Sequence, residues 1–493
     1  MININCKTHL FLFILFLQIF TACAAVGKPI HVTVLHFNDI YEISPVSGGK
    51  QGGLARVATL RKELLAKNPN TITVLGGDMF SPSAMGTAIV NGEKLAGKQM
   101  VDVLNKLGLD YATFGNHEFD VSEAQFKQRM KEVGFTWVSS NAFNADGKPY
   151  PGVNKSLLIP IIDPNTGKKF TIGMFGVTLT TKKTDYVVYQ KPLESAKYQV
   201  NALKGKSDMI IALTHQAIAD DAKMITENPD IDLVLGGHEH ENYQRWRGDF
   251  TPLLKADANV RSVYVVELFF DPETGKTKII PSLIPINDSI AEDPEIKQAV
   301  DHWEKIAFDS FRAQGFEPNK VVTVTTEALD GLEASVRSKQ TNLTKLIANA
   351  LLLTYPEADL SMYNGGAVRI DDIIPLGDIT QYDVLRMMPF GGTVQLVGIK
   401  GSLLKKLLDK GMSSIGSGGF LQTANVEYIE HSSGNGWQIK GVLLDANKNY
   451  KVSMLDYVVS SELKNIKTNW KLINDGIRND IRQWVIKGIK KRS

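Results

Sequence analysis

From Ile30 to about Asn287 the chain alternates short apolar runs with longer amphipathic stretches. The runs are HVTVLHF (31–37), TITVLGG (71–77), YATFGN (111–116), TWVSSN (136–141), TIGMFGV (171–177), MIIALTH (209–215), IDLVLGG (231–237) and VYVVELFF (263–270). Most are continuous in Val, Ile and Leu rather than alternating, which predicts strands covered on both faces. Between them, Ala55–Lys67, Lys98–Leu107, Ser122–Val133 and Ala217–Asn228 carry helical spacing. Strand–helix alternation of this kind predicts a layered α/β domain over residues 30–290. Residues 291–319 then read as one amphipathic connector helix, closing near Gly315 and Pro318. From Lys320 to about 490 the order changes. VVTVTTEAL, a helix over Thr341–Leu352, DLSMYNGGAVRID, VLRMMPFGGTVQLVGI, a helix over Gly401–Lys410 and YKVSMLDYVVS predict a mixed α+β domain.

What terminates the runs carries the chemistry. Asn38-Asp39, Gly77-Asp78, Asn116-His117, His215 and His238 stand at or just past strand ends. In open α/β sheets ligands bind beyond the carboxyl ends of the strands, so five ends aim polar groups at one region. Asp39, Asp78, Asn116, His117, His215, His238 and His240 supply carboxylate oxygen and imidazole nitrogen, the donors of hard and borderline divalent cations. Alone, an Asp after Gly-Gly is usually a turn or N-cap residue, and a strand-end His is usually structural. The ordered set is more specific: four of the chain's nine histidines fall in these slots. Two cations held about 3.5–4 Å apart can clamp a phosphoryl group and activate water. Asp78, in the Gly-Gly-Asp turn, is the natural bridge between them.

LHFNDIY (35–41), GGDMFSPS (76–83), FGNHEFD (114–120), LTHQ (213–216) and GGHEH (236–240) resemble the motifs of the 5′-nucleotidase family of calcineurin-like metallophosphoesterases. RSKQTNL (337–343), NGGAVR (364–369) and MPFGG (388–392) are similar to that family's second domain. The resemblance implies a four-layer α/β-sandwich domain joined by a helix to a mixed α+β specificity domain, with a rotation between the two. It implies two divalent ions (Mn, Zn, Co or Fe). Asp39 and His240 would serve one ion, Asn116, His215 and His238 the other, and Asp78 would bridge. His117 would face the scissile phosphate with Asp120 holding its ring, since a carboxylate partner fixes the tautomer and favours imidazolium. In the second domain, Arg337, Asn364 and Arg369 would bind the anionic end, and Phe390 and Tyr457 would sandwich a base.

Four departures stand out. The first motif reads Asp39-Ile40-Tyr41 where the family usually has Asp-x-His, so Tyr41 is either a phenolate ligand favouring a harder ion or a residue that packs beside the ligands or supports them, and that ion binds more weakly. Glu333 occupies a position where some members carry arginine. Gly392 stands where some relatives carry a base-reading Asn. SSELKNIK (460–467) replaces a Gly-rich segment. The leading expectation is hydrolysis of 5′-nucleotides to nucleoside and phosphate. The alternatives are a sugar phosphate or other small phosphoester, and a non-catalytic exported binding protein on the same scaffold.

Composition adds two constraints. With 55 basic and 53 acidic side chains the 493-residue chain has a formal charge of +2, so nothing electrostatic argues for a nucleic-acid partner. Lys7, the apolar run Leu10–Phe20 and then TACAA read as a secretory signal over residues 1–25, too short to span a bilayer. A soluble periplasmic or secreted protein is expected, with a lipid anchor at Cys23, inside Phe20-Thr21-Ala22-Cys23, as the alternative. Cys6 and Cys23 are the chain's two cysteines, so its body holds no disulfide framework.

Overall fold

The computed structural model describes residues 28–163, 167–181, 184–430, 436–477 and 480–490. The expected signal segment 1–25 and Cys23 lie outside the described residues.

The first half is built on two stacked sheets. One has seven strands, with Ile30–Phe37 at its heart, parallel to Thr71–Leu75 and antiparallel to Ser262–Asp271. The other has six, centred on the parallel strands Lys169–Thr178, Met209–His215 and Leu233–Gly237. Ile30, Val32 and Val34 face Phe170, Ile172, Ile211 and Leu235 in one apolar cluster between the sheets. Leu35 and Phe37 point the other way, into a cluster with the helices Leu54–Lys67 and Lys98–Leu107. Phe175, Val177 and Ala212 likewise meet helices Pro192–Leu203 and Ile218–Glu227 on the far side. Each central strand is thus apolar on both faces because each face has a cover. The result is helix, sheet, sheet, helix: four layers.

Several strands stop earlier than their apolar runs. YATFGN is strand only over Tyr111–Ala112, and TITVLGG only over Thr71–Leu75. Beyond those points the backbone leaves the ladder to form the site loops described below.

The connector is a helix over Pro294–Ala313, capped by the Asp293 side chain accepting from the Ile296 N–H. It is not a free-standing linker. Ile296, Val300, Trp303, Ala307 and Phe311 are buried against the first half, and Trp303 Nε1 donates to Asp102 at 2.8 Å. The second half is a five-stranded mixed sheet ordered Leu421–Ala424, Leu360–Asn364, Asn449–Leu455, Val394–Lys400 and Trp470–Asn474. Helix Gly401–Ser413 packs on one face, and helix Asn342–Thr354 lies on the other. The run VLRMMPFGGTVQLVGI divides at Pro389 into a helix, Gln381–Met387, and the strand Val394–Lys400. One apolar cluster runs unbroken from Phe37 through Phe311 and Phe316 to Val322, Ile347 and Leu351, joining the halves.

Among the described residues, no helix is long and apolar enough to cross a membrane.

Candidate active site

The loops after the central strands stay paired, and that pairing assembles the site. Asp39 N–H donates to Gly77 O at 3.0 Å and Ile40 N–H to Asp78 O at 2.8 Å, so the two aspartates leave adjacent parallel strands side by side. His215 ends its strand in register with Gly237, which places His238 next to it. His215 Nδ1 bonds to Gly76 O at 2.7 Å, tying the two sheets together at the site. Asp39, Asp78 and His238 are non-glycine residues with positive φ, at 52°, 61° and 89°. Such conformations cost about 1–3 kcal/mol each and persist where the surroundings hold them. A Cβ on Gly115 would stand 2.1 Å from Asp78 Oδ1, which explains a glycine immediately before Asn116-His117.

The donors converge. Asp39, Asp78 and His215 each offer one ligand atom within 4.8 Å of the others, and all three are buried. His215 Nε2 lies 3.1 Å from Asp78 Oδ2 and 3.9 Å from Asp39 Oδ1, while His240 Nε2 lies 3.6 Å from Asp39 Oδ1. The outer oxygens are already used. Asp39 Oδ2 accepts from Asn38 Nδ2 and the His238 N–H, at 2.8 and 2.9 Å, and Asp78 Oδ1 accepts from the His117 N–H at 2.7 Å. The inner oxygens therefore face one another across a common space. Asn116 Oδ1 is buried without a hydrogen-bond partner, and His215 Nε2 faces the Asp78 and Asp39 carboxylates. Orphaned buried polar groups are costly, and an ion is what satisfies an amide oxygen, carboxylates and imidazole nitrogens together.

Titration tells the same story. Burial depresses the His215 imidazole, but Asp78 and Asp39 outweigh it and push its pKa up to about 9. Burial likewise opposes charge on His240, but Glu333, Asp371 and Asp39 raise it to about 10. His238 goes the other way, down to about 4, through burial and the neighbouring His215. The buried carboxylates make this hollow strongly negative.

His117 and Asp120 form the expected pair, with Nδ1 to Oδ2 at 2.6 Å on one turn of 3₁₀ helix. They line a cleft of about 590 Å³ whose other wall comes from the second half. Asn364, Arg369, Phe390 and Tyr457 are all on that wall. Phe390 and Tyr457 are 54% and 59% exposed, so they are presented to the cleft rather than packed in a core. The Arg369 guanidinium lies 5.8 Å from the Phe390 ring centre, within cation–π range. Arg337 does not line this cleft; its Nη1 pairs with Glu333 at 2.5 Å. Gly392 has φ of +118°, and a Cβ there would lie 2.9 Å from Asp456 Oδ1.

Four further residues join the site to which the sequence reading gave no role, one of them, Glu118, inside the FGNHEFD motif. Glu118 is buried and accepts from the N–H groups of Gly115, Met79 and Asp78, at 2.5, 2.6 and 3.1 Å. Lys255 is fully buried, paired with Asp221 and Glu239, and donates to Gln216 O and Gly237 O. Asn259 Oδ1 accepts from the Tyr41 N–H at 2.9 Å. Asp371, from the second half, accepts from His240 Nδ1 at 3.0 Å.

Fold and site together define a two-domain metallophosphoesterase. Residues 32–242 match the calcineurin-like phosphoesterase family and residues 321–467 match the 5′-nucleotidase C-terminal domain. The chain belongs to the two-domain 5′-nucleotidase family of calcineurin-like metallophosphoesterases. It is 28% identical over 443 residues to the trifunctional nucleotide phosphoesterase protein YfkN of Bacillus subtilis, covering 80% of this chain and 29% of that protein's length. Protein UshA of Yersinia enterocolitica is 27% identical over 486 residues, 87% of this chain and 85% of that one. Bovine 5′-nucleotidase is 27% identical over 460 residues, 83% and 77% of the two chains. The fold is shared with the 5′-nucleotidase precursor of Thermus thermophilus, at a TM-score of 0.74 and 21% identity over 94% of this chain and 97% of that one.

Proposed function

We propose that this chain is an exported metal-dependent phosphoesterase that hydrolyses 5′-nucleotides to nucleoside and phosphate. The observation that carries the reading is one cleft with two walls. On one side stand the His117–Asp120 pair and Asn116, beside the buried hollow of Asp78, His215 and Asp39. On the other stand a guanidinium and two exposed aromatic rings.

The donors fit two ions. Asp39 and His240 would hold one, Asn116, His215 and His238 the other, and Asp78 would be shared. Divalent ions there would supply Lewis-acid charge to the phosphoryl group and activate a water. The chain's own residues do the rest. Arg369 would bind the anionic end through its guanidinium, and Asn364 beside it would supply a polar contact. Phe390 and Tyr457 would stack the base, worth about 1–3 kcal/mol per stacked base. Asp120 accepts the Nδ1 proton of His117, which leaves Nε2 to donate to charge developing on the phosphoryl or leaving oxygen. Export rests on the Lys7–Ala25 pattern of the sequence.

Phosphate release from 5′-AMP by residues 26–493, with Mn²⁺, Co²⁺ or Zn²⁺ added, tests the reading. The blank is His117→Ala. Metal-dependent release that the blank lacks is expected; silence on every nucleoside monophosphate, with metal bound, overturns it. Gly392 favours one second reading, a sugar phosphate or another small phosphoester. It offers no side chain to read a base edge. A preference for sugar phosphates over nucleotides would establish that reading instead.

A further inference from the structure

Gly392 gives the cleft no side chain, but the space beside it is occupied. A Cβ at this position would meet Asp456 Oδ1 at 2.9 Å, and the φ of +118° already disfavours any side chain. A side chain at 392 and the Asp456 carboxylate are therefore alternatives for one space in the cleft wall, and this chain has the carboxylate. Asp456 lines the cleft with Phe390 and Tyr457 and is half-buried there.

Strand register puts the carboxylate there and holds it. Val394–Lys400 and Asn449–Leu455 pair antiparallel, with Val394 opposite Leu455. One step beyond, the Asp456 N–H donates to Thr393 O at 2.9 Å. The Thr393 N–H and hydroxyl both donate back to Asp456 Oδ2, at 2.9 and 3.0 Å. These bonds fix the carboxylate and account for one of its oxygens. Among the described residues, no group donates to the other, Oδ1. A carboxylate oxygen only accepts, so Oδ1 is an immobilised acceptor whose donor has to come from outside the protein. The cleft's other carboxylate, Asp120, is already bonded to His117. Asp456 therefore repels a phosphate and leaves that group to Arg369, while it attracts an N–H or O–H. A ligand that brought only apolar or acceptor atoms to Oδ1 would strip its water and return no bond.

Resting on the nucleotidase reading above, we propose that Asp456 is a specificity-determining residue of that reaction: its Oδ1 accepts a hydrogen bond from the nucleoside held between Phe390 and Tyr457. The shared chemistry is a neutral hydrogen-bond donor, supplied by an N–H of the base or by a ribose hydroxyl. Gly392 is then not a lost contact. It is the residue that leaves room for Asp456 to make one from the neighbouring strand end.

The test compares substrates within each protein. Of 5′-AMP, GMP, CMP and UMP, the nucleotide hydrolysed fastest is set beside two analogues. One lacks the N–H donors of its base, and the other lacks both ribose hydroxyls. In the wild type, kcat/KM should fall about 10–100-fold for one analogue, mainly through KM, and that analogue identifies the donor. Asp456→Asn keeps an oxygen for Thr393 and turns an amide donor into the cleft, so the same ratio should fall to about one or below. Loss of folded protein lowers all three rates alike and does not move the ratio. A ratio that keeps its wild-type value in Asp456→Asn therefore overturns the proposal. So does a wild type that hydrolyses both analogues as well as the parent nucleotide, a result that leaves the nucleotidase reading standing. Silence on every nucleotide, with phosphate released from a sugar phosphate, would remove both.

Discussion

His117 touches the cleft and is clamped by a single carboxylate, so its contribution can be separated from metal binding. Its backbone N–H holds Asp78 Oδ1, and that bond survives side-chain truncation. His117→Ala should therefore keep its metal content by elemental analysis while kcat falls about 10²–10³-fold, the usual loss for one preorganised charge-stabilising group. The ligands make a second, proton-based prediction. In the metal-free chain, His215 and His240 have pKa values raised to about 9 and about 10 by the neighbouring carboxylates. At pH 8 both hold protons that an ion must displace. Calorimetry in buffers of different ionisation enthalpy should show about two protons released per chain loaded at pH 8. Metal affinity should go on rising from pH 7 toward 9 rather than levelling off near the ordinary histidine pKa. The same raised values mean that the metal-free fold gains stability from these pairs below about pH 6.5, and loses it as pH rises through 9 to 10.

At the scale of elements, the site is a set of strand ends held in register by groups behind them. Lys255 is the strongest example. Burial works against its charge, and Asp221 and Glu239 outweigh burial. It also binds the carbonyls of Gln216 and Gly237, so one ammonium fastens the loop after His215 to the strand end before His238. Replacing one member of a buried pair strands the others, so Lys255→Met should lower the unfolding free energy by about 3–5 kcal/mol in denaturant titration. Much of this level was legible in the sequence. The both-faces-apolar strands predicted a layered α/β domain, the stacking of two sheets came from the family resemblance, and the polar termini, Asp39, Asp78, His117, His215 and His238, pointed to one region that the structure does bring together. The supports were not legible. Nothing in the sequence marks Glu118 or Lys255 as a support. Their roles depend on three backbone N–H groups and two carbonyls that converge only after folding. The segment expected over 291–319 is helical over Pro294–Ala313, but its burial against the first half, where Trp303 donates to Asp102, depends on tertiary contacts that amphipathic spacing does not specify.

At the scale of the whole molecule, two adjacent aspartates of the second half reach into the first and do different things. Asp371 accepts from His240 Nδ1 at 3.0 Å, with Arg261 Nη2 at 3.4 Å, so the second half orients a histidine of the first that the proposed function makes a ligand. Asp372 instead binds the joint: it accepts from the Ser47 N–H and hydroxyl at 2.8 and 2.6 Å and from Arg386 at 3.1 Å. Arg386 in turn stands 3.6 Å from Glu42 of the first half, all of it buried. The two positions should separate in experiment. Asp371→Asn keeps a carbonyl to accept the Nδ1 proton but removes the charge, and Asp371→Ala removes both. Metal affinity should fall in both, by about 10–100-fold in the alanine variant, with the asparagine variant between it and wild type; the alanine variant should also melt at a lower temperature, because Asp371 is buried against His240 and Arg261. Asp372→Ala leaves the His240 contact intact and strips Arg386 of a partner. Its melting temperature should fall, and metal affinity measured well below that temperature should hold. If Asp371→Ala binds metal as tightly as wild type, the second half contributes only the cleft wall, and His240 is oriented from within its own loop.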